Sequence, residues 1–344
     1  MSRTKIQLSH GFDDIICLDN LLSAWKEFIV GKRNRKDVQK FQFNLMDNIL
    51  SLYHDLANYK YEHGGYYAFN ISDPKPRNIH KASVRDRLVH HAVYRRLYPF
   101  FDKTFIFDSY SCRLNKGTHK AINRFISFAY KASKNNTRTC WILKGDIRKF
   151  FASIDHEILM EILSKKVADR NVLWLIKEIV GSFNSGQSGM GLPLGNLTSQ
   201  LLVNIYMNEF DQFVKHGLKI KYYIRYADDF VALSDNRDYL ERQLVFMDKF
   251  LSDRLKLKLH PNKVFVKTLN SGLDFLGWVN FFDHRVLRTK TKNRIIMRAG
   301  RSPSVKSISS YLGLIKHGNT FKIKNRINHF LSNPSYNAKI YLYS

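Results

Sequence analysis

The stretch that most constrains this chain is Tyr222-Tyr223-Ile224-Arg225-Tyr226-Ala227-Asp228-Asp229-Phe230-Val231-Ala232-Leu233, in which two β-prone runs flank an Ala-Asp-Asp centre. Aromatic and branched residues on both sides of a short break predict a β-hairpin with adjacent carboxylates at its tip. Alone, an acidic pair in a tight turn is solvated and inert. A second apolar run, Thr139-Cys140-Trp141-Ile142-Leu143-Lys144-Gly145-Asp146, also ends on an acid. If the two are neighbours in one sheet, Asp146 faces Asp228 and Asp229. Three crowded carboxylates repel, and they are tolerated where divalent cations neutralise them. Two magnesium ions about 4 Å apart activate a hydroxyl and stabilise a departing pyrophosphate, so the chemistry this pattern predicts is nucleotidyl transfer.

Charge points to the partner. The chain has 56 Lys plus Arg against 29 Asp plus Glu, a net charge of +27, which calls for a polyanion, nucleic acid first. From His284 to Ser344 there are thirteen Lys or Arg and no acid. Such a segment holds phosphates by counterion release and weakens in salt. An anionic membrane is the competing explanation. No run approaches the ~18 apolar residues of a span, and Met1-Ser2-Arg3-Thr4-Lys5 opens no signal peptide, so no membrane partner and a cytoplasmic location are expected. Hydrophobic content of 44% excludes a disordered chain. Cys17, Cys112 and Cys140 are too few and too scattered for disulfides or a zinc site. His90 and His91 read as packed helix residues.

Apolar stripes at helical spacing place one helix on Leu18, Leu21, Leu22, Trp25, Phe28 and Ile29 and another on Leu45, Ile49, Leu52, Tyr53 and Leu56. A basic turn, Gly31 to Lys36, is expected between them. Strand-like pieces then run from Tyr59 to Ile79, broken by Asp73-Pro74-Lys75-Pro76-Arg77. The prolines keep Lys75 and Arg77 exposed, either as a solvated loop or folded over a triphosphate. A helix carries Leu88, Val89, Ala92, Val93 and Leu97. The loop Ser109 to Thr118 follows, with Arg113 and Lys116 either at the surface or on template or nucleotide. Asp155 sits where an N-cap belongs and is left out of the metal set. Residues 172–183 read as helix, and a glycine-rich loop from Gly186 to Gln200 lacks the GxxxxGK[ST] signature of a P-loop. Beyond the acidic hairpin come a helix with Leu240, Leu244, Met247, Phe250 and Leu251, then strands over Lys256–Leu259, Asn262–Val266 and Leu273–Val279. The order β-α-β-β-α-β predicts a ferredoxin-like antiparallel sheet with helices on one face. Acids cease after Asp283, the expected boundary of a last domain.

Taken together, these blocks resemble reverse transcriptases. Tyr226-Ala227-Asp228-Asp229 is similar to their YADD signature, and Asp146 with Phe150-Phe151 and Ile154-Asp155-His156 resembles the first catalytic block of the bacterial group II intron-like branch. Pro74 to Arg77, Arg85-Asp86-Arg87, Ser109 to Gly117, Leu192 to Gln200, Lys263 and Phe275-Leu276-Gly277 resemble further blocks in the right order, over roughly residues 70 to 280. The resemblance implies an α+β right-hand polymerase, with N-terminal helices and fingers in 1–135, a palm in 136–283 that includes a fingers segment at about 160–195, and a short, basic, helical thumb in 284–344. It implies Asp146, Asp228 and Asp229 as catalytic metal ligands, with the Ile147 backbone beside them, for two Mg2+ ions that Mn2+ can replace. Lys75 and Arg77 would clasp the incoming deoxynucleoside triphosphate, and Lys263, Leu194 and Gly195 would lie around it. Phe151 matches the aromatic gate that leaves no room for a ribose 2′-hydroxyl. Template and primer would meet Arg113, Lys116, Ser199, Gln200, Phe275, Leu276 and Gly277, the last three as primer grip.

The glycine-rich block departs from the common pattern. Most members carry Gln-Gly and then Ser-Pro, where this chain has Leu194-Gly195 and Ser199-Gln200. Leucine cannot hydrogen-bond the nucleotide or template, so checking of the nascent pair should loosen. Together with Ser310 to His317, this makes the chain most similar to the reverse transcriptases of diversity-generating retroelements. Those copy a template RNA into cDNA unfaithfully at adenines, with a small basic accessory protein and a structured non-coding RNA. Two alternatives stand beside this reading. One is a defence-associated, anti-phage reverse transcriptase copying a dedicated non-coding RNA. The other is an RNA-binding or splicing-assistance protein with a vestigial polymerase site.

Overall fold

The computed structural model describes residues 7–72, 76–300 and 304–332. Its N-terminal helices are α1 (Phe12–Ile16), α2 (Leu18–Phe28), α3 (Lys36–Phe43) and α4 (Leu45–Ala57). The stripes expected for α2 and α4 face inward. The basic turn, however, gives way at Lys36 to α3. Val38 supplies α3 with a buried anchor, and Asp37 ties it to Lys81 and Arg87, both at 2.6 Å. β1 (Tyr66–Ile71) and β2 (Arg77–Ala82) pair as an antiparallel hairpin. The Asp73-Pro74-Lys75 part of its connection, and so Lys75, lies outside the described residues. Next come α5 (Val84–Asp102), capped by the Ser83 side chain, and α6 (Thr118–Ala132). His90 and His91 lie on α5, where burial lowers the affinity of both rings for a proton.

The central strands alternate with helices in the expected order. β3 (Trp141–Asp146) is followed by a 3-10 turn at Phe150–Ser153, then α7 (His156–Ser164), α8 (Arg170–Gly181) and α9 (Leu197–Gln212). Asp155 caps α7 by accepting from the Ile158 N–H at 3.1 Å, the structural role its position suggested. β4 (Tyr222–Tyr226) and β5 (Asp229–Ser234) form the acidic hairpin, and α10 (Arg237–Leu255) leads to β6 (Phe265–Thr268). The sheet order is β4-β5-β3-β6, every pair antiparallel, which is the ferredoxin-like arrangement.

Alternation along these strands divides the sheet into two packed faces. Leu143, Tyr223, Phe230 and Ala232 join the large core built with α5, α7, α9 and α10. Ile142, Ile224, Val231 and Leu233 turn the other way, onto Phe125 and Phe128 of α6. The second face therefore carries a helix as well, and Asp146 and Asp229 share it by parity. Gly145 lets the two faces coexist. A Cβ there would lie 2.1 Å from the Phe230 ring, so the ring packs directly on the strand.

Two strand expectations are corrected. Lys256–Leu259 is not a strand: Lys256 turns left-handed (φ 49°) to end α10, and Leu259 makes only an isolated bridge to Ile147. The segment crosses the end of β3, where the His260 N–H donates to the Asp146 carbonyl at 2.8 Å. Leu273–Val279 is a hairpin, β7 (Leu273–Phe275) and β8 (Trp278–Asn280), because Leu276 and Gly277 both take positive φ and turn the chain. β9 (Arg285–Leu287) completes this small sheet. The last helices are α11 (Thr289–Ala299), α12 (Val305–Ile315) and α13 (Phe321–Ser332). They bury Ile295, Ile315, Ile323 and Ile327 around Trp278 and Leu287. No helix among the described residues is long and apolar enough to cross a membrane.

Candidate active site

The three acids meet at one end of the four-stranded sheet. Asp146 is the last residue of β3, and the β3–β5 register sets it directly opposite Asp229. The Ile147 N–H donates to the Asp228 carbonyl at 3.1 Å, which joins the end of β3 to the Ala227-Asp228 turn. Burial, helped by the nearby Asp146 charge, raises the Asp228 carboxyl above its usual range. Burial pushes Asp229 up to about 6, with Lys144 pulling against it.

Two ammonium groups hold this charge in check. Lys144 Nζ lies 3.2 Å from Asp229 Oδ2, and Lys263 Nζ lies 2.9 Å from Asp146 Oδ1. Among the described residues, Asp229 Oδ1 is buried with no hydrogen-bond partner, and no group of three or more His, Cys, Asp or Glu is gathered tightly enough to hold a metal ion. An orphaned carboxylate oxygen beside two further carboxylates is a hard-oxygen donor set that suits a hard divalent cation. The residues fit such an ion chemically, and Lys144 and Lys263 pair with two of the three carboxylates.

Around the acids, Arg77 on β2 is exposed and its charge reaches Asp228. Phe151 is half-buried in the turn after β3, its ring 5.6 Å from Phe150, and its carbonyl accepts from the Leu192 N–H at 2.8 Å. That bond draws the glycine-rich loop to the end of β3. The same loop is fixed to the β1–β2 hairpin, since the His80 N–H donates to the Leu194 carbonyl and Asn196 Nδ2 donates to the His80 carbonyl, both at 3.0 Å. Gly195 has φ 109°, and a Cβ there would approach Ile79 to 2.8 Å, so only glycine allows this seam.

The residues expected on template and primer divide into two groups. Leu276 and Gly277 form the β7–β8 turn, and Lys144 Nζ reaches this hairpin at the Asp274 carbonyl, 2.7 Å away. Phe275 is fully buried beneath it. The others are held by the protein itself. Arg113 donates to the Asp102 carboxylate at 2.6 Å and to the Ile106 and Ser109 carbonyls. Lys116 donates to the Phe107 carbonyl and lies 3.5 Å from the Phe107 ring centre. Ser199 is buried in α9, and Gln200, half-buried in the same turn, gives its carbonyl to Asn204.

Sequence reasoning passed over Lys144 and Arg225. Each is a charge inside an apolar strand run, and that was the available signal. Lys144 stands two residues before Asp146, so period-2 alternation puts both on one face. Arg225 is fully buried against Asp211 of α9.

The reverse transcriptase (RNA-dependent DNA polymerase) family model matches residues 72–280. The chain is 27% identical over 260 residues to Protein YkfC of Escherichia coli (strain K12), covering 64% of this chain and 66% of that protein. It is 24% identical over 298 residues to the group II intron-encoded protein LtrA of Lactococcus lactis subsp. cremoris, covering 66% of this chain and 47% of that protein. The chain thus spans less than two thirds of the length of these curated relatives. Among solved structures, a partial Cas6-RT-Cas1–Cas2 complex is similar at 21% identity and a TM-score of 0.44, covering 71% of this chain and 43% of that one. With the family model covering well over half of its length and three acids gathered at one end of a ferredoxin-like sheet, the chain belongs to the reverse transcriptase (RNA-dependent DNA polymerase) family and has its α+β fold.

Proposed function

We propose that the chain is an RNA-directed DNA polymerase of the diversity-generating kind, copying a structured RNA into cDNA with errors concentrated at template adenines. The observation that carries the polymerase reading is the register of Asp146 against Asp229, with Asp228 in the adjoining turn. Reverse transcriptases generally use divalent metal ions. Asp146, Asp228 and Asp229, with the Ile147 main chain, would hold two Mg2+ ions, or Mn2+ in their place. Such ions supply an activated primer hydroxyl and charge neutralisation at the leaving pyrophosphate. The chain's own side chains orient and exclude. Arg77, with Lys75, receives the triphosphate, and Lys263 carries positive charge beside Asp146. Phe151 would close the space a 2′-hydroxyl needs.

The low-fidelity reading rests on Leu194, an apolar side chain beside Gly195 in the loop that faces the β1–β2 hairpin. Residues 1–135, 136–283 and 284–344 then serve as N-terminal helices with fingers, palm and thumb, and the basic residues after His284 grip the template–primer backbone. A small basic accessory protein and a structured non-coding RNA complete the assembly, in the cytoplasm.

RNA that copurifies with the protein identifies the template. With that RNA, deoxynucleoside triphosphates and Mg2+, the protein should make cDNA whose errors cluster at adenines. Faithful cDNA refutes the diversity-generating part, and an absence of cDNA refutes the polymerase. Asp228→Ala with Asp229→Ala should abolish synthesis and leave RNA binding intact. Full biological activity in that double variant would instead favour an RNA-binding protein with a vestigial site.

A further inference from the structure

The Ala227-Asp228 turn is braced by a buried charge pair. Arg225 on β4 and Asp211 on α9 are both 0% exposed. Arg225 Nε donates to both Asp211 carboxylate oxygens at 2.8 and 2.9 Å, and Nη2 donates to Asp211 Oδ2 at 2.7 Å and Ser109 Oγ at 3.1 Å. Nη1 donates to Asn204 Oδ1 at 3.2 Å and to the Ala227 carbonyl at 3.0 Å. The Tyr223 hydroxyl adds a further bond to Asp211 at 2.9 Å. All five N–H groups of the guanidinium therefore have acceptors.

Stability alone does not account for this arrangement. Desolvating two charges is expensive, and apolar side chains of similar volume often hold a core as well or better. What apolar packing does not supply is a directed bond to the Ala227 carbonyl. Ala227 has φ 56°, a conformation that residues with a side chain rarely take. The two residues that follow it are Asp228 and Asp229. The Arg225 main chain is clamped as well, donating to the Asp108 carbonyl and accepting from the Tyr110 N–H, both at 3.0 Å.

We propose that Arg225 is a positioning residue: oriented by Asp211, it fixes the left-handed turn at Ala227 and thereby the directions in which Asp228 and Asp229 present their carboxylates. The proposal rests on the polymerase reading above. The test compares wild type with Arg225→Met/Asp211→Leu, which removes both charges and strands neither. A second variant, Arg225→Lys, keeps the charge and loses the planar fork.

Both variants should bind RNA as wild type does. Both should lower kcat for nucleotide incorporation, the double variant by roughly 10²-fold, while KM for the nucleotide stays near wild type. Mn2+ titrated onto the protein without nucleotide should bind about 10-fold more weakly. A folded double variant with wild-type kcat and Mn2+ affinity overturns the proposal. If that variant does not fold, Arg225→Lys with both quantities at wild type overturns it equally. Wild type that binds Mn2+ in a manner abolished by Asp228→Asn, yet makes no DNA, refutes the polymerase reading; the Mn2+ affinities of the variants then decide the positioning role. Wild type that does neither refutes both.

Discussion

Asp229→Asn should stabilise the protein while destroying its activity. In the folded state the Asp229 carboxyl is pushed up to about 6 by burial, against roughly 3.9 in an unfolded chain. A carboxyl raised on folding destabilises the native state wherever it is ionised in both states, so the penalty is present at pH 7 and disappears as the pH falls below the unfolded value. The difference corresponds to about 3 kcal/mol at pH 7, of which about half remains at pH 5. Asparagine has the same shape and no charge to desolvate, so in excess chelator at pH 7 the variant should melt about 4 °C above wild type for a chain of this length. The gap should close as the pH approaches ~4. Magnesium should raise the melting temperature of wild type and leave the variant unmoved. Thermal melts from pH 4.5 to 7.5, with chelator or with Mg2+, provide the assay. A variant less stable than wild type at pH 7 in chelator, or a gap that ignores pH, would refute the electrostatic account of the site.

Three further outcomes follow from other parts of the site. Phe151→Ala should let ribonucleotides compete with deoxynucleotides, read as a drop of about 10-fold or more in sugar discrimination during single-nucleotide incorporation. Leu194→Gln should lower misincorporation opposite template adenine, measured by sequencing cDNA from one template, with little change in total synthesis. Gly145→Ala drives a methyl group into the Phe230 ring and should cost about 1–3 kcal/mol in denaturant unfolding, as overpacking does.

What the sequence made legible was local. Period-2 runs ending at Asp146 and flanking Asp228 and Asp229 marked the strands, and alternation of strands with helical stripes predicted the sheet that joins them. Asp155 was readable as a cap from its place ahead of an apolar stripe. What escaped depends on partners distant in the chain. α3 is tethered through Asp37 to Lys81 and Arg87, far along the sequence. Lys144 matters because it bridges Asp229 and the Asp274 carbonyl, and Arg225 because Asp211 and Asn204 lie on a helix packed against its strand. Arg113, which the sequence left as either a surface residue or a template contact, is also tied within the protein, to the Asp102 carboxylate. Leu276 gave little warning of its positive φ, because leucine seldom turns a chain.

The seam between the β1–β2 hairpin and the glycine-rich loop is formed by the main-chain atoms of His80 and Leu194, the Asn196 side-chain amide and the bare α-carbon of Gly195. Nothing in it depends on which side chain residue 194 carries. A change of that side chain therefore leaves the seam's hydrogen bonds in place, and under the low-fidelity proposal Leu194→Gln would alter copying accuracy without rebuilding the scaffold around it.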